Sequence, residues 1–213
     1  EEALSLEFNP NLNISLYTKP INENFLNNYD NNNGRINYDG KLKTISKFKF
    51  KKIENFYQYD PVISVENNNI IFFDNKGAIL KFDQKSELIW KKNYYSKLEK
   101  KQNTILFFAN NKSFLIVADN ISKFYALDIN TGELLWSKKN SAPFNSQIKI
   151  YKDKFFVIDF DNILRAYSIN NGKEIWKIKT EKSLTRSLKK LSMVIVDEKI
   201  YFNNSMGDIS SID

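Results

Sequence analysis

Carboxylates, lysines and tyrosines are the chemically capable side chains of this 213-residue sequence, because it contains no histidine and no cysteine. Lacking histidine, it can build no Ser–His–Asp triad, no imidazole base and almost none of the usual zinc or non-haem iron sites. Lacking cysteine, it has no disulfides, thiolate metal ligands or thiol nucleophiles. The groups that remain assemble no catalytic, cofactor-binding or metal-ligating set. Instead, one polar spacing recurs. Asp128 is followed by Thr131, Gly132 and Trp136, and Ser168 by Asn171, Gly172 and Trp176. A short side-chain oxygen just ahead of a glycine is turn chemistry. The oxygen accepts backbone N–H groups two or three residues on, and the glycine takes a positive φ at no steric cost.

The elements that hold these turns repeat as units. Trp90, Trp136 and Trp176 stand 46 and 40 residues apart, close to the ~40–45 residues of a four-stranded propeller blade. Phe124–Trp136 aligns with Leu164–Trp176, and Ile79–Trp90 is the same unit with one residue fewer and Ser86 in the glycine's place. Asp83 stands where Asp128 and Ser168 do. Upstream of each unit lie two further apolar runs: Val62–Val65 and Ile70–Asp74, then Thr104–Ala109 and Ser113–Ala118, then Gln147–Tyr151 and Lys154–Asp159. Short runs of this kind between Asn, Asp and Gly read as hairpin-connected strands. A fourth unit begins with Met193–Val196, Lys199–Asn203 and Asp208–Ile212, and is expected to be an incomplete blade. Ala126 and Ala166 are expected to keep a crowded inner strand narrow. Each Trp is expected to staple neighbouring blades through its large surface and indole N–H.

Composition agrees with a packed β fold. Hydrophobic residues make up 42%, and 17 Phe and 11 Tyr stand against only 6 Gly, a balance that suits pleated surfaces. The formal charge of +7 comes from lysines scattered among acids and asparagines, with runs no longer than pairs such as Lys138-Lys139. That is not the block that marks an interaction tail, and no nucleic-acid partner is predicted. No apolar stretch approaches the ~20 residues of a membrane helix. Nor does a basic-then-apolar leader open the chain at Glu1, so a mature or trimmed product is expected. Residues 1–40 are Asn-rich and aperiodic, which predicts an extended, mobile arm that tethers the remainder of the chain.

The sequence Ala126-x-Asp128-x-x-Thr131-Gly132-x-x-x-Trp136 closely resembles the repeat of the pyrroloquinoline-quinone (PQQ)-type β-propellers. Ala166 to Trp176 follows it with Ser for Asp and Asn for Thr. The resemblance covers about residues 41–213. It implies an all-β fold, a β-propeller of four-stranded antiparallel blades, with about four blades here out of a ring of about eight. Blades fall at about 53–92, 103–139, 144–179 and, incomplete, 190–213, with a ring-closing strand at 44–50. The missing part of the ring would be supplied by the rest of the propeller or by a second copy of the chain.

Function within this fold divides two ways. Quinoprotein dehydrogenases of the family hold PQQ over Ca²⁺ with carboxylates and an adjacent-cysteine disulfide. This chain has no cysteine and no acidic pair in a matching place, so no cofactor is expected. The BamB branch, a lipoprotein subunit of the outer-membrane β-barrel assembly machinery, is a non-enzymatic scaffold. Its order of arm, closing strand and blades is similar to the order here. That resemblance implies a periplasmic location at the outer membrane's inner face. It implies a membrane link only through a lipidated cysteine, which this chain lacks. The implied partner is the barrel subunit BamA, whose periplasmic domains meet a Leu-Ser-Leu-Arg stretch between blades three and four. The matching connection here is Glu181-Lys182-Ser183-Leu184-Thr185-Arg186-Ser187-Leu188, and Leu184 and Arg186 take the corresponding roles. A quinone-dependent dehydrogenase and a propeller that binds cell-wall polysaccharide are the alternatives.

Overall fold

The computed structural model describes residues 63–74, 76–102, 104–181, 189–196 and 198–213. The arm at 1–40, the closing strand at 44–50, the start of the first blade before residue 63, and Leu184 and Arg186 lie outside the described residues.

The described chain forms four consecutive antiparallel sheets. The first joins β1 (Ser64–Glu66), β2 (Asn69–Phe73), β3 (Ile79–Phe82) and β4 (Leu88–Lys92). The second joins β5 (Leu106–Asn110), β6 (Phe114–Asp119), β7 (Lys123–Asp128) and β8 (Leu134–Lys139). The third joins β9 (Lys149–Tyr151), β10 (Lys154–Ile158), β11 (Ile163–Ser168) and β12 (Glu174–Lys179). The fourth has three strands, β13 (Met193–Val196), β14 (Lys199–Asn203) and β15 (Ile209–Ile212). Each sheet is a meander in sequence order, which makes it a propeller blade. β9 is shorter than the Gln147–Tyr151 run predicts. The residues ahead of it are drawn into other bonds, Asn145 N–H to Ile158 O at 3.1 Å and Gln147 N–H to Leu191 O at 3.1 Å.

The blades pack face to face, and the middle strands serve two cores at once. On β6, Leu115 and Val117 join the cluster shared with the first blade, while Ile116 and Ala118 join the cluster shared with the third. Both faces of such a strand are buried, so its sequence reads as a continuous apolar run without alternation. A third cluster joins Phe156, Ile158 and Leu164 to Met193, Ile200 and Phe202 of the fourth blade. The outermost strands β8 and β12 are largely exposed.

Between the third and fourth strands the register shifts at the same place in three blades, between Lys81 and Phe82, Ala126 and Leu127, and Ala166 and Tyr167. The extra residue on the outer strand is Ile89, Leu135 or Ile175, and each is exposed. A bulge of this kind re-aims the next side chain. Here it turns the tryptophan beyond it toward the neighbouring blade.

Candidate functional site

Among the described residues, the informative chemistry lies at the blade junctions. The Trp136 indole N–H donates to Ile169 O at 2.9 Å, and Trp90 donates to Ile129 O at 3.3 Å. Both carbonyls belong to the turn that opens with the recurring Asp or Ser of the next blade. A Cβ on Gly132 would stand 2.8 Å from the Trp90 ring, and one on Gly172 would stand 2.6 Å from the Trp136 ring. Each glycine therefore answers two demands, a φ of +72° or +63° and an indole lying flat against it. Ser86, the first blade's counterpart, also has a positive φ, +70°. Ala126 and Ala166 are fully buried. They sit on the third strands β7 and β11, opposite Trp136 and Trp176. There a larger side chain would meet the packed face between blades. Trp176 packs on Phe156, with ring centroids 5.7 Å apart.

The turn oxygens work as capping groups. Asp128 Oδ1 accepts from the N–H of Asn130 and Thr131, and Asp83 Oδ1 from Lys85 and Glu87. In the third blade Asn171 Oδ1 accepts from Lys173 N–H. These backbone bonds hold the Asp128 carboxyl below its usual range. At the first junction Ile129 O also receives the buried Lys81 ammonium at 2.9 Å, which is paired with Glu66 at 2.8 Å. The Trp136 bond has no such companion. Trp136→Phe should therefore cost about 0.5–1.5 kcal/mol, the net value of one hydrogen bond, and Trp90→Phe distinctly less; chemical denaturation of the two variants measures the difference.

A second repeat, not read from the sequence, closes the second and third strands of all four blades. Asp74, Asp119, Asp159 and Asn204 each accept, through Oδ1, the N–H groups two and four residues on, at 2.7–3.1 Å. The residue three places on has positive φ in every copy: Gly77, Ser122, Asn162 and Gly207. The signal was an Asp or Asn at this spacing from a residue tolerant of the left-handed region.

The second oxygen of each head group sets its electrostatics. Asp159 Oδ2 is met by Arg165 Nε at 2.8 Å and Asn140 Nδ2 at 3.2 Å. In the fourth blade the head is the neutral Asn204. Asp119 is fully buried, and its Oδ2 accepts from the Tyr95 hydroxyl at 2.6 Å. Burial pushes its pKa up to about 6, against the hydrogen bonds from Tyr95, Lys123 and Ile121. Burial likewise raises the Tyr95 and Tyr125 hydroxyls beside it. Tyr95 comes from the connection after the first blade, so this cluster ties that connection to the second blade.

No three acidic side chains converge among the described residues. Leu184 and Arg186 belong to the connection between β12 and β13, outside the described residues.

A sequence profile for the outer membrane protein assembly factor BamB matches residues 64–213. The chain belongs to the BamB family. Among solved structures, BamB from Moraxella catarrhalis superposes with a TM-score of 0.61 at 18% identity, covering 71% of this chain and 45% of that one. The chain thus spans less than half of that BamB. The computationally designed Ika4 protein superposes with a TM-score of 0.61 at 10% identity, over 81% of this chain and 98% of its own. A quinohemoprotein alcohol dehydrogenase from Pseudomonas putida does so with a TM-score of 0.55 at 16% identity, over 70% of this chain and 31% of its own. At these identities the superpositions establish a shared propeller fold, and membership of the BamB family rests on the profile. No curated protein matches the sequence.

Proposed function

We propose that this chain is part of a non-enzymatic propeller scaffold that binds protein partners in outer-membrane barrel assembly, at the periplasmic face of the outer membrane. The observation that carries the reading is the BamB profile over residues 64–213. The docking point is the connection between the third and fourth blades, with Leu184 as an apolar knob and Arg186 as a planar fork of donors. The partner is the periplasmic domains of BamA.

Titration calorimetry against those domains tests the reading. Replacing Leu184 and Arg186 together by alanine should weaken binding by about 2 kcal/mol, or roughly thirtyfold, with the thermal melt unchanged. Equal affinity in the two proteins would move the docking point elsewhere, and a spectral change on adding PQQ with Ca²⁺ would overturn the non-enzymatic reading.

A further inference from the structure

The connection between the first and second blades is bonded to both of them. Nine residues, 140–148, carry the chain from β8 to β9, whereas thirteen, 93–105, carry it from β4 to β5. The additional residues are not slack. Asn93 bonds Lys76 O and Tyr95 N–H, the Tyr94 hydroxyl donates to Gly132 O at 2.6 Å, and the Tyr95 hydroxyl donates to Asp119. Ser96 and Glu99 cap one another, Ser96 N–H to Glu99 Oε2 at 2.7 Å and Glu99 N–H to Ser96 Oγ at 3.3 Å. These reciprocal bonds lead into a single 3₁₀ turn at Glu99–Lys101, with Leu98 at its N-cap position.

At the tip of this fixed turn Leu98 is 74% exposed. Lys97, Lys100 and Lys101 surround it in sequence, and none of them pairs with a carboxylate among the described residues. Glu99, the acid in their midst, is engaged inward, by its bonds to Ser96 and by the Lys123 ammonium at 3.6 Å. A lone exposed leucine is ordinary. A leucine held outward by bonds from both flanking blades, in a field of unpaired lysines, is pre-organised for contact, because little ordering cost remains to be met on binding.

We propose that this connection is a docking surface for an acidic protein partner, whose pocket receives Leu98 and whose carboxylates meet Lys97, Lys100 and Lys101. The surface stands independently of the Leu184–Arg186 reading. Charge selects an acidic partner, since three cations whose one neighbouring acid, Glu99, is engaged by Ser96 and Lys123 attract an acidic surface and repel a basic one. Size argues against a lipid surface. One leucine is shorter than a single acyl chain, and even one such chain gives only marginal membrane attachment.

The test is photo-crosslinking in the native cells, with p-benzoylphenylalanine at position 98 of the full chain and, as control, at Leu134 on the outer rim. The expected result is an adduct at position 98 whose crosslinked peptide is rich in Asp and Glu. Lys97→Glu with Lys101→Glu should cut its yield about tenfold or more without lowering the melting temperature. Salt at about 0.5 M, where screening acts within roughly 4 Å, should do the same to the chain with its lysines intact, giving a readout that no folding defect can mimic. An adduct insensitive to both treatments, an adduct to a second copy of this chain, or none at all overturns the proposal. So does Leu98-dependent sedimentation with phosphatidylglycerol vesicles.

Discussion

Gly172→Ala should destabilise the protein by about 2–5 kcal/mol, because two costs add. A non-glycine residue at φ +63° gives up roughly 1–2 kcal/mol to the left-handed backbone. The new methyl would lie 2.6 Å from Cζ3 of Trp136, and forcing atoms into a packed face costs about 1–3 kcal/mol more. The indole cannot swing aside freely, since its N–H is bonded to Ile169 O and its ring stacks on Phe155 with centroids 6.0 Å apart. Gly207 separates the two costs. Its φ is +98°, and nothing stands within 4 Å of the position a Cβ would take, so Gly207→Ala should show the backbone cost alone. Combining Gly172→Ala with Trp136→Leu should recover most of the packing cost and none of the backbone cost. Denaturant unfolding of these variants beside the parent protein gives the comparison. Equal losses for Gly172→Ala and Gly207→Ala would mean that the tryptophan does not press on the turn.

That junction marks how far the sequence could be read. The period was visible because a large aromatic recurs at blade spacing and because the glycine of its turn tolerates few substitutes. The pairing of Trp136 with Gly172, and of Trp90 with Gly132, was not visible. Residues about 40 apart must first be brought together by a fold, and local turn chemistry already accounted for each glycine. The Asp74, Asp119, Asp159 and Asn204 turns escaped for the opposite reason. Their positive-φ residue is Gly, Ser, Asn and Gly in turn, so no single letter repeats where the eye looks for one. Strand limits such as that of β9 were decided by bonds to Ile158 and Leu191, which no local pattern contains. Leu98 was one apolar letter in a polar stretch. Only the bonds that pin Tyr94, Tyr95, Ser96 and Glu99 distinguish it from any other exposed leucine.

The four equivalent turns also contain their own control for a pH effect. Asp159 has the Arg165 guanidinium in contact, Asn204 has no charge to balance, and Asp74 has Lys91 at 3.9 Å. The buried Asp119 has a tyrosine hydroxyl at its second oxygen, with the Lys123 ammonium lying 4.7 Å from the centre of that tyrosine's ring. Its folded pKa of about 6 stands above the ordinary carboxyl value of 3.8. The folded state therefore keeps this proton when the unfolded chain has already released it. The stability this group contributes is fully present below about pH 3.8 and is lost as pH rises to about 6, a change of about 3 kcal/mol for a shift of this size. Groups such as Glu99, held below its usual range first by the Ser96 N–H, act in the opposite sense and lose stability as pH falls. The net profile mixes the two, so the Asp119 contribution must be read by difference. Asp119→Asn keeps the Oδ1 acceptor for Ile121 and Lys123 and offers an N–H to the Tyr95 oxygen, an arrangement like that of Asn204, whose Nδ2 donates to Asp208. Its stability relative to the Asp119 protein should climb by about 3 kcal/mol between about pH 4 and pH 7. Urea unfolding of both proteins across that range measures the difference directly. Parallel profiles would show that the ionised carboxylate is tolerated without cost, with Tyr95 and the two backbone donors sufficient to hold its charge.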